Sequence, residues 1–218
     1  MKLRFLITAG PTREYIDPVR YISNASSGKM GYALANAARK KGHKVVLISG
    51  PVDIKPPSGV KTVRVITAKE MFESFKEYFP SSDIIIGAAA VSDYRPFESK
   101  KDKLKKVSRP FNLKLVPNPD ILQFAGKRKQ KRVLVGFALE TQDLLKHAKE
   151  KLEKKKLDVI IANYPEVIGK DKATIWIMDK DSNIVSIPED EKSKIAKRII
   201  DEALETWKDN NPRKKLSR

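Results

Sequence analysis

Short aliphatic runs, each closed by glycine, proline or a polar loop, alternate with helix-period segments along most of the chain. That alternation restricts the fold more than any other feature. Leu3 to Ala9 stops at Gly10-Pro11 and Val45 to Ile48 stops at Gly50-Pro51, after which Val63 to Ile66, Asp83 to Ala90, Val133 to Ala138 and Val159 to Ala162 read as further strands. Between them, Lys29 to Lys41 puts Met30, Leu34, Ala37 and Ala38 on one face ahead of Gly42, and Ala68 to Phe79 does the same with Met71, Phe72, Phe75 and Phe79. Pro119 to Arg128 reads as a short helix with proline in its first turn. Thr141 to Lys156 reads as a longer helix, and Glu191 to Trp207 as a closing one with Ile195, Ile199, Ala203 and Leu204 inward. Strands that are apolar on both faces and joined through helices belong in a parallel sheet with right-handed crossovers.

The expected fold is therefore a doubly wound, mostly parallel, Rossmann-like α/β sheet with helices on both faces. Thr174 to Met178 and Ile184 to Ile187, turning at Asp181-Ser182-Asn183, add a C-terminal β-hairpin. Residues 1–208 are expected to form one domain and 209–218 a basic, flexible tail. A hydrophobic content of 40% is enough to fill a core and excludes a disordered chain. No apolar run approaches the roughly 20 residues of a membrane span, and Met1-Lys2-Leu3-Arg4 runs straight into the first strand, so a soluble cytoplasmic protein is expected. The absence of cysteine excludes disulfides, thiolate nucleophiles and Cys-ligated zinc. Two isolated histidines, His43 and His147, argue against a histidine metal cluster or a Ser-His-Asp triad. A net charge of +18 favours anionic partners, although a lysine-rich solvated surface accounts for it equally well.

In a doubly wound sheet, ligands bind outside the carboxyl ends of the strands. The loop from Gly10 to Gly28 follows the first strand, Val91 to Lys106 the fourth, Phe137 to Glu140 the next main strand, and Asn163 ends the last, so all four share one rim. Pro11 to Ser27 and Ser92 to Pro110 read as long loops. In Ser23-Asn24-Ala25-Ser26-Ser27-Gly28-Lys29-Met30-Gly31, Ser26 or Ser27 can cap the following helix, whose free N–H groups and dipole favour phosphate. The segment is neither a Walker A loop nor a complete G-x-G-x-x-G, and an ordinary capped helix explains it as well as an anion site does. The run from Lys100 to Lys106 is a solvated charge run taken alone, but its position on the rim makes it a candidate mobile arm for a triphosphate. Asp93 can cap a turn or accept from a ligand amine or hydroxyl. Asn118-Pro119-Asp120 can simply start a helix, and Lys151, Lys154, Lys155 and Lys156 suit a helix C-terminus without further function. An oxidoreductase of Rossmann type lacks its glycine fingerprint here, and a nucleic-acid-binding module lacks an aromatic platform.

Taken together, these segments are far more specific. Ile7 to Glu14, Ile16 to Asn24, Ser26 to Gly31, Ala88 to Arg95, Lys103 to Lys106, Asn118 to Ile121, Gly136 to Thr141 and Leu157 to Asn163 run in the order found in phosphopantothenate–cysteine ligase. The chain resembles that family, the synthetase half of the bifunctional coenzyme A biosynthesis flavoprotein, to about Ile187. The resemblance implies that 4'-phosphopantothenate and L-cysteine are condensed through an acyl-nucleotidylate, with CTP giving pyrophosphate and CMP. The substrate carboxylate is then the nucleophile, and no protein nucleophile is required. The resemblance also implies catalytic roles for Asn24, with Arg20 nearby, and for Lys103 at the triphosphate. Gly10, Ser27, Gly28, Gly87, Ala88, Ala89, Asp93, Asn118, Pro119, Asp120, Ile121, Phe137, Lys151 and Lys155 are implied nucleotide contacts. Mg²⁺ or Mn²⁺ would bridge the phosphates without an assigned protein ligand. A homodimer is implied, with no membrane or nucleic-acid partner. FMN is not expected, because the flavin half and its catalytic cysteine are absent, so a separate decarboxylase becomes a possible partner. The chain departs from the family pattern at Leu104 (usually Ile), at Asn163-Tyr164-Pro165 (usually Asn-Asp-Val) and at Ala173, where an Asp-x-Asn carries its Asn.

Overall fold

In a computed structural model describing residues 1–106, 108 and 110–212, the first strand, β1 (Arg4–Ala9), is buried on both faces. Phe5 and Ile7 point into one core and Leu6 into the other, as a central strand requires. The chain continues through β2 (Arg13–Tyr15), β3 (Tyr21–Ser23), α1 (Lys29–Lys40), β4 (Lys44–Ser49), β5 (Lys61–Arg64) and α2 (Ala68–Tyr78). Next come β6 (Ile84–Gly87), β7 (Tyr94–Pro96), β8 (Leu115–Pro117), α3 (Ile121–Gly126), β9 (Val133–Leu139) and α4 (Leu144–Lys154). The chain closes with β10 (Val159–Asn163), β11 (Lys172–Asp179), β12 (Ile184–Glu191) and α5 (Lys192–Asn210).

The eight-stranded sheet has the order β12-β11-β10-β9-β6-β1-β4-β5. From β5 to β10 all neighbours are parallel, and the expected hairpin, β11–β12, adds the antiparallel edge. Strand order reverses between β1 and β6, which opens a crevice at their carboxyl ends. A parallel bridge from Pro11 to Ala90 carries that pair one step further toward the crevice. Helices α1 and α5 cover one face through Leu34, Ala35, Ala38, Ile195, Ile199 and Ala203. Helices α2, α3 and α4 cover the other through Met71, Phe75, Ile121, Ala125, Ala148 and Leu152. The doubly wound class read from the sequence is the fold observed. No helix among the described residues is long and apolar enough to cross a membrane.

Several boundaries differ from the expectation. The loop from Pro11 to Ser27 contains the β2–β3 hairpin, and the loop from Ser92 to Pro110 contains β7, which pairs with β8. Three-residue strands are too short to show a period. The third helix begins at Ile121, not at Pro119, because Asp120 caps it by accepting from the Gln123 amide at 2.9 Å. Helix α4 begins at Leu144, after Asp143 turns through a left-handed conformation. Helix α5 runs to Asn210, past Trp207, and Asn211 is buried with its amide donating to the Trp207 and Lys131 carbonyls. The start of the expected tail is thus packed, and residues 213–218 lie outside the described residues.

Candidate functional site

A cavity of about 570 Å³ occupies the crevice. Its floor is the start of α1. Neither Ser26 nor Ser27 caps that helix: the N-cap is Gly28, at φ 76°, and no side chain accepts from the first turn. Glycine is needed because this position is left-handed and a Cβ would also stand 2.9 Å from Val52 Cγ1 and 3.4 Å from the Gly10 backbone. Ser26 Oγ accepts instead from the Gly28 amide at 3.3 Å. The Lys29, Met30 and Gly31 end of α1 therefore faces the cavity with its N–H groups free of side-chain acceptors.

The opposite wall is pinned by hydrogen bonds that tie Thr12, Asn24 and Asn118 to the segment following β6. Asn24 Nδ2 donates to the Ala90 carbonyl at 3.0 Å. The hydroxyl of the buried Thr12 accepts from the Ser92 amide at 3.0 Å. Asn118 Nδ2 donates to the Ser92 carbonyl at 2.9 Å, and the Asn118 amide donates to the Asp93 carbonyl at 2.7 Å. Asn24, the β6 exit at Gly87-Ala88-Ala89, and Asp93 are thereby fixed around one space. Gly87 lets Leu122 pack close over the β6 exit, since a Cβ there would come 2.6 Å from Leu122 Cδ2.

Cations stand at both ends of this space. Lys151 and Lys155 line one end beside Asp120. Lys155 pairs with Asp120 at 3.0 Å, and burial and the Lys155 charge push the Lys151 ammonium below the ordinary lysine range. Burial opposes ionisation of Asp120, but the Gln123 amide and Lys155 outweigh it and hold its carboxyl low. The backbone carbonyl of Asp93 accepts from Asn118, while its exposed carboxylate faces the cavity, close enough for its charge to favour the Lys151 ammonium. At the other end, the buried Lys192 donates to the Val167 carbonyl at 3.0 Å, and burial followed by repulsion from Lys29 lowers its pKa. Lys29 donates to Gly169 O at 2.9 Å and pairs with Asp171 at 2.7 Å. Ala173, the departure noted above, forms buried wall here, and Tyr164 packs edge-on against Trp176 outside it.

Of the residues singled out from the sequence, Asn24, Ser27, Gly28, Gly87, Ala88, Ala89 and Asp93 line the cavity. So do Asn118, Pro119, Asp120, Ile121, Phe137, Lys151 and Lys155. The last two show that the end of α4 does reach the site. Gly10 lies beneath Gly28 and outside the wall. Arg20 and Lys103 also lie outside it. Arg20 is paired with Asp17, and the loop carrying Lys103 is anchored rather than a free arm, since Lys100 N donates to Ile16 O and Leu104 O accepts from Arg20. Sequence reasoning missed Lys192, which the β11–β12 hairpin brings back to α1 and which no local pattern marks. No group of three or more His, Cys, Asp or Glu able to hold a metal occurs among the described residues.

Residues 1–206 match the family model described as "DNA/pantothenate metabolism flavoprotein C-terminal domain". The chain is 44% identical over 201 residues to the coenzyme A biosynthesis bifunctional protein CoaBC of Borreliella burgdorferi, covering 90% of this chain and 51% of that protein. It thus spans about half the length of the curated relatives it matches. Among solved structures, the C-terminal domain of a CoaBC superimposes with a TM-score of 0.83 at 36% identity, covering 95% of this chain and 96% of that one. A Cab2 variant in complex with phosphopantothenate-cysteine shares the fold, with a TM-score of 0.80 at 20% identity over 98% of this chain and 89% of that one. The crevice between β1 and β6, its uncapped helix and its two cationic ends are therefore features of a member of the DNA/pantothenate metabolism flavoprotein C-terminal domain family.

Proposed function

We propose that this chain joins 4'-phosphopantothenate to L-cysteine, using CTP and an acyl-nucleotidylate intermediate. One observation carries the reading: a single cavity offers two separate cationic ends, with no cysteine or histidine in its wall. His43 lies at the far end of the sheet, where Nδ1 accepts from the Leu3 amide, and His147 faces Glu140 outside the wall. Such a site suits two phosphorylated substrates, one of which brings its own nucleophile. The pantothenate carboxylate oxygen attacks the α-phosphorus, and the bond to the β-phosphate breaks with its electron pair leaving on pyrophosphate. The cysteine nitrogen then attacks the acyl carbon and loses a proton, and CMP departs. The free N–H groups of α1 with Lys29 and Lys192 suit the pantothenate phosphate. Lys151, Lys155 and Asn118 suit the nucleotide. Asn24, between the two ends, commits one N–H to Ala90 and keeps its remaining amide capacity for the reacting carboxylate.

A divalent cation, Mg²⁺ or Mn²⁺, supplies charge neutralisation across the phosphates when bound. Asp93 fits as its protein ligand, since the other wall carboxylate, Asp120, is already paired with Lys155 at 3.0 Å, and one or two carboxylates plus phosphates suit Mg²⁺. Cytoplasmic location, and a homodimer covering the outer edge at β12 where Ile184 and Val185 are exposed, belong to the same reading. A phosphopantothenoylcysteine decarboxylase would consume the product. Pyrophosphate release is measured with phosphopantothenate and CTP, ATP, GTP or UTP in turn, with and without cysteine. Release that requires phosphopantothenate is expected, fastest with CTP. No release with any nucleotide from folded protein and Mg²⁺ refutes the reading.

A further inference from the structure

Asp17 is the one acid in the two long insertions whose side chain is fully buried, at 0% exposure, and it lies outside the wall of the crevice cavity. Its carboxylate accepts from five N–H groups. Oδ1 takes the amides of Val19 and Arg20, both at 2.9 Å, which closes the turn on itself. Oδ2 takes Nε of Arg20 at 2.9 Å, Nη2 of Arg20, and the Leu104 amide at 3.1 Å. The same Nη2 donates onward to the Leu104 carbonyl at 2.6 Å. Both polar groups of Leu104 are thus gripped by one Asp–Arg pair, directly after Lys103. Leu104 is 84 residues from Arg20 in sequence, so no local structure supplies this contact. Burial opposes ionisation of Asp17, yet the donors from Val19, Arg20 and Leu104 outweigh it and hold the carboxyl far below the ordinary range.

We propose that Asp17 is a positioning residue: through Arg20 and the Leu104 peptide it sets where Lys103 stands relative to the cavity. The inference rests on the ligase reading for what Lys103 does, but the latch itself is independent of it. Asp17→Asn separates the two faces of the carboxylate. The amide oxygen can still take the Val19 and Arg20 amides and keep the turn, while the amide NH₂ meets three N–H donors and must release Leu104. Displacing a catalytic group by about 1 Å can cost on the order of 10²-fold in rate, and that is the loss expected for Asp17→Asn.

Two measurements decide it. In the first, pyrophosphate release is compared for wild type, Asp17→Asn, Lys103→Gln and the double variant. If Asp17 acts through Lys103, the double variant is within about threefold of Lys103→Gln alone, since coupled residues are not additive. Multiplied losses, or wild-type turnover in Asp17→Asn, overturn the proposal. In the second, amide deuterium exchange is followed by mass spectrometry in peptides spanning 99–106 and 29–40. Faster exchange in the first peptide alone is expected for Asp17→Asn, and unchanged protection there overturns the latch. A wild type without turnover sinks the ligase reading instead, and the exchange result then decides the latch by itself.

Discussion

Gly31 is where the packing of the fold and the geometry of the site can be perturbed by a single methyl group. It occupies the first turn of α1, directly over the end of β1. A Cβ there would stand 2.4 Å from Ala9 Cβ, 3.0 Å from Ala9 Cα and 3.2 Å from Thr8 O. Carbon atoms in contact prefer about 3.5–4.0 Å, so the helix must retreat by roughly 1 Å. Neither obstacle can rotate away, because both belong to the central strand and its backbone. Overpacking of this kind costs about 1–3 kcal/mol, and a backbone obstacle places it near 3. Alanine recovers about 1 kcal/mol of helix propensity over glycine, leaving a net loss of about 2 kcal/mol. For a domain of this size that corresponds to a Tm lower by about 4–8 °C. The same retreat carries away the N–H groups of Lys29, Met30 and residue 31, so pyrophosphate release should fall on the order of 10²-fold. Gly42→Ala is the control: nothing lies within 4 Å of its Cβ, but φ is 87°. It should lose about 1–2 kcal/mol through backbone conformation alone and keep full turnover. Calorimetry and the pyrophosphate assay on both variants test the reasoning. A Gly31→Ala chain that melts higher than wild type, or turns over normally, refutes it.

Lys192→Met keeps the buried stem and removes the charge, so phosphopantothenate should bind roughly 10- to 100-fold more weakly while CTP affinity holds, since hydrogen bonds to charged groups are worth about 1.5–3 kcal/mol. Titration calorimetry with each substrate separately checks this, and equal weakening of both would place Lys192 elsewhere. Asp158 is buried, pairs with Lys129 at 2.7 Å and accepts from the Leu134 amide at 2.8 Å, so Asp158→Ala should cost about 3–5 kcal/mol in denaturant unfolding; a loss below about 1 kcal/mol contradicts the assigned role. Asp17 is ionised in the folded chain far below the ordinary carboxylate range, so its contribution to stability is complete above the unfolded-state pKa of about 3.9 and fades as pH falls below it. The Tm gap between wild type and Asp17→Asn should therefore be widest above about pH 5 and shrink in acid. A gap independent of pH would show that the charge of Asp17 contributes nothing.

The rim of the sheet was legible from sequence because each strand announces its own end. Gly10-Pro11 cuts the first run, and the residues that follow every main strand then share one edge by topology alone. What stayed hidden depends on contacts without local signature. Propensity ranks serine above glycine as an N-cap, and Ser26-Ser27 invited that reading, yet the cap is Gly28 because the backbone there is left-handed and squeezed against Gly10 and Val52. The three-residue strands β2, β3 and β7 have no period to read. Their placement comes from the Arg13 amide donating to Ile66 O and the Ser92 amide donating to Thr12 Oγ1, both between segments far apart in sequence. The lysines make the point most directly. Lys103 lies in a run of rim lysines that invited a phosphate role, yet it stands outside the cavity wall. Lys151 had an adequate explanation in the helix dipole, yet it lines the cavity with its ammonium partly desolvated. A lysine's chemistry is set by what surrounds its ammonium. For Lys151 that is desolvation in the cavity wall beside the Lys155 ammonium. For Lys103 the nearest fixed point is one residue on, where Arg20 and Asp17, 84 and 87 residues away in sequence, hold both polar groups of Leu104, a contact that no local pattern marks.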